Sequence, residues 1–277
     1  MKNDECIKNP ENIDWEYFWQ EKLKAKRKEK KDWNKVAKNF SKLAKQDEYR
    51  ENLMSKMSLN REDSLLDLGC GEGSVTLAIA KKVAKVTAID SSENMLELLK
   101  EKCEKEELAN VDIVQGKLEE MKVEDLGNYD IVLSSRSFNG IHHVKQAIVN
   151  ISEIASKYVY ITLFGPNNWK FEKKFYESIG KEYHEFPPYN YLVNILIEMG
   201  IYPNVENLEI ESSRTYESVH EAMNNGRWKL DSFTDDEKIK LRSYLKEKLK
   251  LNEEGKLENP EDKSAWILIW WKKDWLF

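Results

Sequence analysis

The sequence predicts an α/β fold in which a seven-stranded, mostly parallel sheet carries helices on both faces. Three observations lead to this prediction. From residue 64 onward, short apolar runs alternate with amphipathic helical stretches, which is the pattern of βαβ units. The apolar runs contain few polar positions, as expected of strands that are buried on both faces. The first run also passes directly into a glycine-rich turn, and open parallel sheets bind ligands at that edge.

Seven segments are predicted to be strands. The first five are SLLDLG, AKVTAID, VDIVQG, YDIVLSS and KYVYITLFG, with helices such as SENMLELLKEKCEKEE and KQAIVNISEIAS between them. The sixth strand is NVENLEIESSRTY and the last is SAWILIWWKK. Further helices are expected over residues 13–57, in YNYLVNILIEMG, and over residues 216–226 and 234–250.

Length and charge favour one large domain with additions. The chain has 277 residues, of which 34% are charged, and its net charge is −6. We expect residues 1–57 to form an N-terminal helical extension that acts as a lid. Residues 58–277 are expected to form one structural domain, a core with a helical insertion before the last strand. The negative charge argues against a nucleic-acid partner, since such partners favour basic faces.

Other features predict a cytoplasmic protein with no membrane partner. The N-terminal residues MKNDECIKNPEN lack the apolar stretch of a signal peptide, and the late apolar run AWILIWW is too short to cross a bilayer. The three cysteines have no metal-ligand spacing, which favours a reducing compartment and predicts no metal site. The basic run KLKAKRKEKK fits either a solvated helix face or a nucleic-acid or membrane contact. We expect a monomer or a homodimer.

The glycine-rich turn lies in LLDLGCGEGS, residues 65–74. Glycines at alternate positions let the backbone turn sharply and let a ligand approach main-chain N–H groups. A dinucleotide-binding turn, G-x-G-x-x-G, would place its third glycine at position 74, where this chain has Ser74. The spacing here is G-x-G-x-G, with Asp67 two residues before the first glycine. This pattern resembles motif I of the class I S-adenosylmethionine-dependent methyltransferases, a Rossmann-like family, here of the small-molecule type.

The resemblance implies S-adenosylmethionine as the cofactor. Asp90 ends the second strand, where the acid of the family binds the adenosine ribose; the alternative is that Asp90 only caps the following helix, as Ser91 or Ser92 could. The family's acid after the third strand is missing, which leaves the backbone at Lys117 and Leu118, with Glu119 as a substitute. The implied cofactor-binding residues are Asp67, Gly69, Gly71, Gly73, Asp90, Ser91, Met95, Lys117, Leu118, Glu119, Ser134 and Arg136.

The acceptor side is expected around FNGIHHV, residues 138–144, just beyond the fourth strand. His142 or His143 is a candidate general base; the alternative is a helix-start histidine bonded to backbone. Aromatic residues are concentrated in the N-terminal helices and in YHEFPPYNY, where they form either an acceptor lid or ordinary helix-docking surface. The candidate acceptor contacts are Trp19, Trp33, Phe138 and Tyr189.

We therefore expect a methyltransferase that acts on a small molecule at an O, N, S or C atom. Two alternatives stay open: a methyltransferase of a macromolecule such as tRNA or protein, or a catalytically silent protein that binds S-adenosylmethionine. The N/D-P-P-Y/F motif of amino-group methylation is absent, because FPPY lacks the leading residue and follows the fifth strand.

Overall fold

The computed structural model of the chain describes residues 13–27, 47–117, 120, 126–225 and 227–273. The chain divides into two compact units. The first comprises Met1–Phe164, Phe186–Leu208 and Ile267–Phe277, and the second comprises Gly165–Glu185 and Glu209–Trp266. The predicted boundary at residue 57 stays a prediction.

The first unit contains alternating strands and helices. Its helices are α1 (Trp15–Arg27), α2 (Asp47–Lys56), α3 (Thr76–Ala80), α4 (Glu93–Lys105), α5 (Val144–Ile154) and α7 (Tyr189–Glu198). Its strands are β1 (Ser64–Leu68), β2 (Lys85–Asp90), β3 (Val111–Gln115), β4 (Tyr129–Ser135), β5 (Ala155–Phe164), β6 (Asn204–Leu208) and β10 (Trp266–Lys272). A short 3₁₀ turn, Phe138–Gly140, follows β4.

The seven strands form one sheet in the order β3-β2-β1-β4-β5-β10-β6. Strand β1 pairs in parallel with β2 and β4, and Asp67 lies opposite Ala88 on one side and Leu133 on the other. Because β3 and β5 continue these parallel ladders, the carboxyl ends of the first five strands share one edge. The loops expected to carry the site therefore leave the sheet at the same edge.

The sheet is buried on both faces. Consecutive residues of β1 and β4, such as Leu65 and Leu66 or Ile131 and Val132, have no exposed surface. Since neighbouring strand residues point to opposite faces, this burial requires cover on each side, which agrees with the nearly continuous apolar runs in the sequence. Helix α1 contributes Trp19 and Leu23 to the main core.

The second unit has its own core, which is mainly aromatic. Its helices are α6 (Lys170–Ser178), α8 (Val219–Asn224) and α9 (Asp235–Lys248), and its strands β7 (Ser213–Tyr216), β8 (Lys250–Leu251) and β9 (Leu257–Lys263) form a separate sheet in the order β7-β9-β8. Arg227 forms ion pairs with the buried carboxylates of Glu172 and Asp262. A helical insertion before the last strand was expected, and this unit also contains a sheet.

The predicted fold class is confirmed, and four details differ. The helix predicted over residues 234–250 ends at Lys248 and is followed by the short strand β8, which was not predicted. The predicted sixth strand is two strands in different sheets, β6 and β7, because residues 209–212 between them take no strand structure. Strand β9 was not predicted because LENPEDK is polar and contains Pro260, which the sequence pattern reads as loop. Helix α6 was also missed, although it buries Phe171 and Phe175. Within the described residues, no helix has the length and apolar character needed to cross a membrane.

Candidate active site

The glycine turn, which follows β1, has a backbone conformation that residues other than glycine rarely adopt. Gly69, Gly71 and Gly73 have φ angles of 74°, 56° and 83°. The turn is tied to the end of β2, because the N–H groups of Gly69 and Cys70 both donate to the carbonyl of Ile89, at 2.7 and 3.0 Å. Positive φ at three alternate positions explains the G-x-G-x-G spacing.

The three glycines differ in what surrounds them. A Cβ on Gly69 would lie 2.3 Å from the Cβ of Ser137, and a Cβ on Gly73 would lie 2.2 Å from Cδ1 of Leu99. Close packing therefore requires glycine at position 69, because the Cβ of Ser137 is fixed to its backbone, whereas at position 73 the end of the Leu99 side chain would have to shift. A Cβ on Gly71 would meet no atom of the described residues within 4 Å. Gly71 therefore faces open space, as a position that a ligand approaches closely would.

Asp90 connects the glycine turn to the start of α4. One carboxylate oxygen accepts the N–H of Gly71 at 2.9 Å, and the other accepts the N–H of Ser92 at 2.9 Å. The cap of α4 is Ser92, whose hydroxyl accepts the N–H of Met95 at 3.3 Å. An ionised carboxylate has about four acceptor sites, so Asp90 retains capacity for further donors.

Asp67 is a buried carboxylate with one unsatisfied oxygen. It is 1% exposed, and Oδ2 accepts the hydroxyl of Thr76 at 2.6 Å. Oδ1 has no hydrogen-bond partner among the described residues. Burial raises the pKa of Asp67 from 3.8 to about 6, although the Thr76 hydrogen bond lowers it. A buried acid in this state suits a cationic or hydrogen-bond-donating ligand.

The remaining predicted cofactor contacts lie after β3 and at the start of α4. The N–H of Gly116 donates to the carbonyl of Asp90 at 3.0 Å, which holds this backbone beside the end of β2. The ammonium of Lys117 pairs with Glu120 at 2.6 Å. Ser91 is exposed, whereas Met95 is 3% exposed within α4. The predicted contacts Leu118 and Glu119 lie outside the described residues.

Residues 136–145, called here the post-β4 segment, begin at the same edge. The hydroxyls of Ser134 and Ser137 share a hydrogen bond of 2.7 Å, and Ser137 donates to the carbonyl of Leu68 at 2.6 Å. This chain of contacts joins the end of β4 to the last residue of β1. It places the post-β4 segment directly beside the glycine turn.

Arg136 combines a left-handed backbone with a guanidinium stacked on an aromatic ring, which the sequence does not indicate. Its φ is 60°, its N–H donates to Thr162 at 2.8 Å, and its guanidinium lies 4.3 Å from the centre of the Tyr49 ring. Tyr49 is 1% exposed, and its hydroxyl bonds with Ser135 at 2.8 Å and Thr162 at 2.7 Å. The only signal in the sequence was a tyrosine in a helix before β1, which does not indicate its distant partners.

Helix α1 holds the other end of the post-β4 segment. The Trp19 indole N–H donates to the carbonyl of Ile141 at 2.8 Å, and the Gln20 amide donates to the carbonyl of His142 at 3.2 Å. The N–H of Lys145, in the first turn of α5, donates to the Glu16 carboxylate at 3.0 Å. Three side chains from one helix therefore fix the backbone on both sides of the histidine pair.

The histidine pair differs in exposure. His142 is half-buried and His143 is exposed, and their rings are 4.8 Å apart in an edge-to-face arrangement. His143 occupies the N-cap position of α5 but makes no side-chain cap hydrogen bond. The structural alternative of a helix-capping histidine is therefore not observed for His143. The role of either ring as a base stays a prediction.

The candidate acceptor contacts are placed differently from one another. Trp19 and Phe138 have no exposed surface, and both belong to the main core. Tyr189 opens α7 and is half-buried, and Trp33 lies outside the described residues. Beside Phe138, Asn139 is 3% exposed, and both polar atoms of its amide lack partners among the described residues. Acceptor contact by the four predicted aromatic residues stays a prediction.

An open groove of about 1050 Å³ runs along α4 and β3, lined by Leu96, Cys103, Ile113 and several acidic residues. It includes none of the predicted site residues. The described part of the chain contains no group of three or more His, Cys, Asp or Glu side chains that could hold a metal ion.

Comparison with known proteins agrees with this geometry. Residues 65–157 match the model of a methyltransferase domain family. An uncharacterized protein from Haemophilus influenzae is 29% identical over 241 residues, which are 87% of each chain. The malonyl-[acyl-carrier protein] O-methyltransferase of Priestia megaterium is 33% identical over 122 residues, which cover 41% of this chain. The match spans only 43% of that enzyme's length.

A solved structure shows the same fold. The phosphoethanolamine N-methyltransferase 2 of Haemonchus contortus, in complex with phosphomonomethylethanolamine and S-adenosylhomocysteine, aligns with a TM-score of 0.51 and 20% identity. The alignment covers 81% of this chain and 52% of that one. The glycine turn, the strand order and the match over residues 65–157 together identify a methyltransferase domain with a Rossmann-like fold that uses S-adenosylmethionine.

Proposed function

We propose that the enzyme transfers a methyl group from S-adenosylmethionine to a small-molecule acceptor at an O, N, S or C atom. The main support for the donor site is the backbone at Gly71. Its φ of 56° disfavours most side chains, and its N–H donates to Asp90. In the part of the chain that the structure describes, no atom lies within 4 Å of the position that its Cβ would take. This backbone presents a surface that a ligand can approach closely at the carboxyl ends of β1, β2 and β3.

The two acids at this edge suit different parts of the donor. Asp90 lies at the end of β2 with unused acceptor capacity, which suits a pair of ribose hydroxyls. Asp67 has a buried, unsatisfied Oδ1, which suits the ammonium of the amino-acid part of the donor. The backbone after β3, with Ser91, Met95 and Lys117, would border the adenine, and Ser134 would border the amino-acid end. Arg136, one of the cofactor contacts that the resemblance implies, would instead face the acceptor from the end of β4.

The cofactor supplies a methyl group on a sulfonium, and its departure leaves a neutral thioether. The chain's own task is therefore to align an acceptor and to exclude water. His142 or His143 would accept a proton where the acceptor has to lose one. The unsatisfied amide of Asn139 in the same segment would be satisfied by a polar ligand group.

Two observations support a small-molecule acceptor. The name of the Priestia relative gives a malonyl group on an acyl-carrier protein, and the Haemonchus structure contains phosphomonomethylethanolamine. The malonyl group and phosphomonomethylethanolamine are both small. The net charge of −6 does not favour a tRNA acceptor. We place the enzyme in the cytoplasm as a monomer or homodimer, and the free thiols of Cys70 and Cys103 are compatible with a reducing compartment.

Calorimetry with S-adenosylhomocysteine tests the donor site. Asp90→Ala should weaken binding about tenfold or more, because a buried ligand contact is worth about 1–3 kcal/mol. Asp112→Asn is the matched control, since Asp112 is an exposed acid on β3 that pairs with Lys85 at the surface. The proposal is wrong if the wild-type protein does not bind the nucleoside, or if both variants bind it as tightly as wild type.

A further inference from the structure

Arg136 lies at the carboxyl edge of the sheet, between the end of β1 and the end of β5. It follows β4 immediately, and its neighbour Ser137 bonds to the carbonyl of Leu68 before the glycine turn. Its own backbone N–H bonds instead to Thr162 near the end of β5. If the donor occupies the ends of β1, β2 and β3, the ends of β4 and β5 are left for the acceptor.

The backbone of Arg136 is strained for the side chain that it carries. A φ of 60° is left-handed, and within the described residues only one other non-glycine residue, Glu107, has a positive φ. Glycine would adopt this conformation without steric penalty. Strained residues of this kind persist where the surrounding structure holds them, and they concentrate at functional sites. The presence of arginine rather than glycine therefore indicates a use for the guanidinium.

The guanidinium itself is held on a rigid platform. It lies 4.3 Å from the centre of the Tyr49 ring, which is a distance for cation–π stacking. Tyr49 cannot tilt easily, because it is buried and its hydroxyl bonds to both Ser135 and Thr162. Burial also raises the pKa of the Tyr49 hydroxyl, so the ring stays neutral. A stacked, pre-oriented guanidinium loses less conformational freedom when it binds a ligand.

The charge of Arg136 also acts on Asp67 in the proposed donor site. The guanidinium lowers the pKa of Asp67, against the larger effect of burial. A half-buried arginine in this position presents a planar fork that matches the geometry of a carboxylate or phosphate.

We infer that the methyl acceptor carries a carboxylate or phosphate group, and that Arg136 on its Tyr49 platform binds this group. The inference rests on the proposed donor site, because it assigns the neighbouring strand ends to the acceptor. The donor's amino-acid part also carries a carboxylate, which is a second group that the guanidinium could bind. The experiment therefore has one arm for each source.

The acceptor arm uses matched acidic and neutral probes: benzoate with benzamide, hexanoate with hexanamide, and phenyl phosphate with phenol. Affinities are measured by NMR titration, with and without saturating S-adenosylhomocysteine. Wild type should bind the acidic member of each pair at least tenfold more tightly. Arg136→Gln should abolish the preference, and Arg136→Lys should keep part of it because lysine retains the charge without the fork.

Two further variants separate binding from folding. Arg136→Gly removes the side chain but relieves the left-handed strain, so its melting temperature should equal or exceed that of wild type while the acid preference is lost. Arg61→Gln removes the same charge at an exposed position before β1 and should leave the preference unchanged. A wild-type protein with no preference for acids, or an Arg136→Gly variant that keeps it, overturns the inference.

The donor arm compares S-adenosylhomocysteine with 5′-methylthioadenosine, which has the same nucleoside without the amino-acid part. The affinity of Arg136→Gln for both compounds should stay within threefold of wild type. A tenfold loss for S-adenosylhomocysteine alone would assign Arg136 to the donor and overturn the inference. If neither nucleoside binds wild type, the proposed donor site is wrong. The acid preference measured without nucleoside still decides whether Arg136 binds an acidic group.

Discussion

The glycine turn and the post-β4 segment border the same edge of the sheet but are held in different ways. The turn takes its shape from three positive φ angles and from hydrogen bonds between main-chain groups of β1 and β2. The post-β4 segment takes its shape from side chains more than 120 residues away in α1, together with Thr162 and Tyr49. A backbone-defined turn leaves a pattern in the sequence, whereas a segment held by distant side chains does not.

The largest expected effect separates the glycines within the turn. Gly69→Ala should destabilise the protein by roughly 3–5 kcal/mol, because a strained φ of 74° adds to a collision with the Cβ of Ser137. Gly71→Ala has strain alone and should cost about 1 kcal/mol, yet it should weaken S-adenosylhomocysteine binding most. Urea unfolding and calorimetry on both variants check this. Equal loss of stability in the two variants would show that packing does not distinguish them.

The second expected effect concerns the protonation of Asp67. This carboxylate lies just before the glycine turn, and Arg136 of the post-β4 segment lowers its pKa. Because the folded state raises the pKa from 3.8 to about 6, the folded protein binds the proton more tightly than the unfolded chain. Protonation of Asp67 therefore adds about 3 kcal/mol to the free energy of unfolding. This contribution is fully present below pH 3.8 and is lost as the pH rises through 6. Asp67→Asn should remove this part of the pH dependence.

Chemical denaturation of the ligand-free protein at intervals between pH 4 and pH 7 measures the effect. Asp112→Asn should show the same slope as wild type, since Asp112 is exposed. In the same window, S-adenosylhomocysteine affinity should rise with pH as Asp67 ionises and accepts the ammonium. A flat stability profile in wild type would contradict the assigned shift.

The third effect tests how the post-β4 segment is held. Trp19→Phe keeps an aromatic ring but removes the N–H that bonds the Ile141 carbonyl, which should cost about 1–3 kcal/mol. Turnover should fall more than S-adenosylhomocysteine affinity, because the histidine pair moves while the glycine turn does not. Trp15→Phe is the control on the same helix, since Trp15 packs on Tyr191 at 5.4 Å. Equal turnover losses in both variants would assign the effect to α1 docking in general.

The smallest effect is at the start of α5. Glu16→Gln keeps a hydrogen-bond acceptor for the N–H of Lys145 but removes a negative charge from the helix N-terminus. The loss should be about 0.3–1 kcal/mol and should shrink at high salt. Thermal unfolding at low and high ionic strength measures it, with Glu21→Gln as the exposed control on α1. A loss that does not depend on salt would indicate a packing effect instead.

The sequence by itself determined the βαβ core, the strand ends that meet at one edge, and the glycine turn. These follow from local rules: an apolar run buried on both faces, and a φ angle that only glycine adopts readily. It also determined that Asp90 ends β2, where the structure places its carboxylate on the N–H of Gly71.

Only the tertiary structure decided how each residue near the turn is used. A Cβ on Gly69 or Gly73 would contact Ser137 or Leu99, whereas a Cβ on Gly71 would contact none of the described residues. The sequence shows Tyr49 and Trp19 as aromatic residues of helices. It does not show that Tyr49 stacks on Arg136 or that Trp19 donates a hydrogen bond to Ile141. The polar strand β9 was likewise formed by pairing with β7 and β8, since its own residues favour a loop. Local conformation is encoded in neighbouring residues, whereas these roles depend on which distant side chains the folded chain brings together.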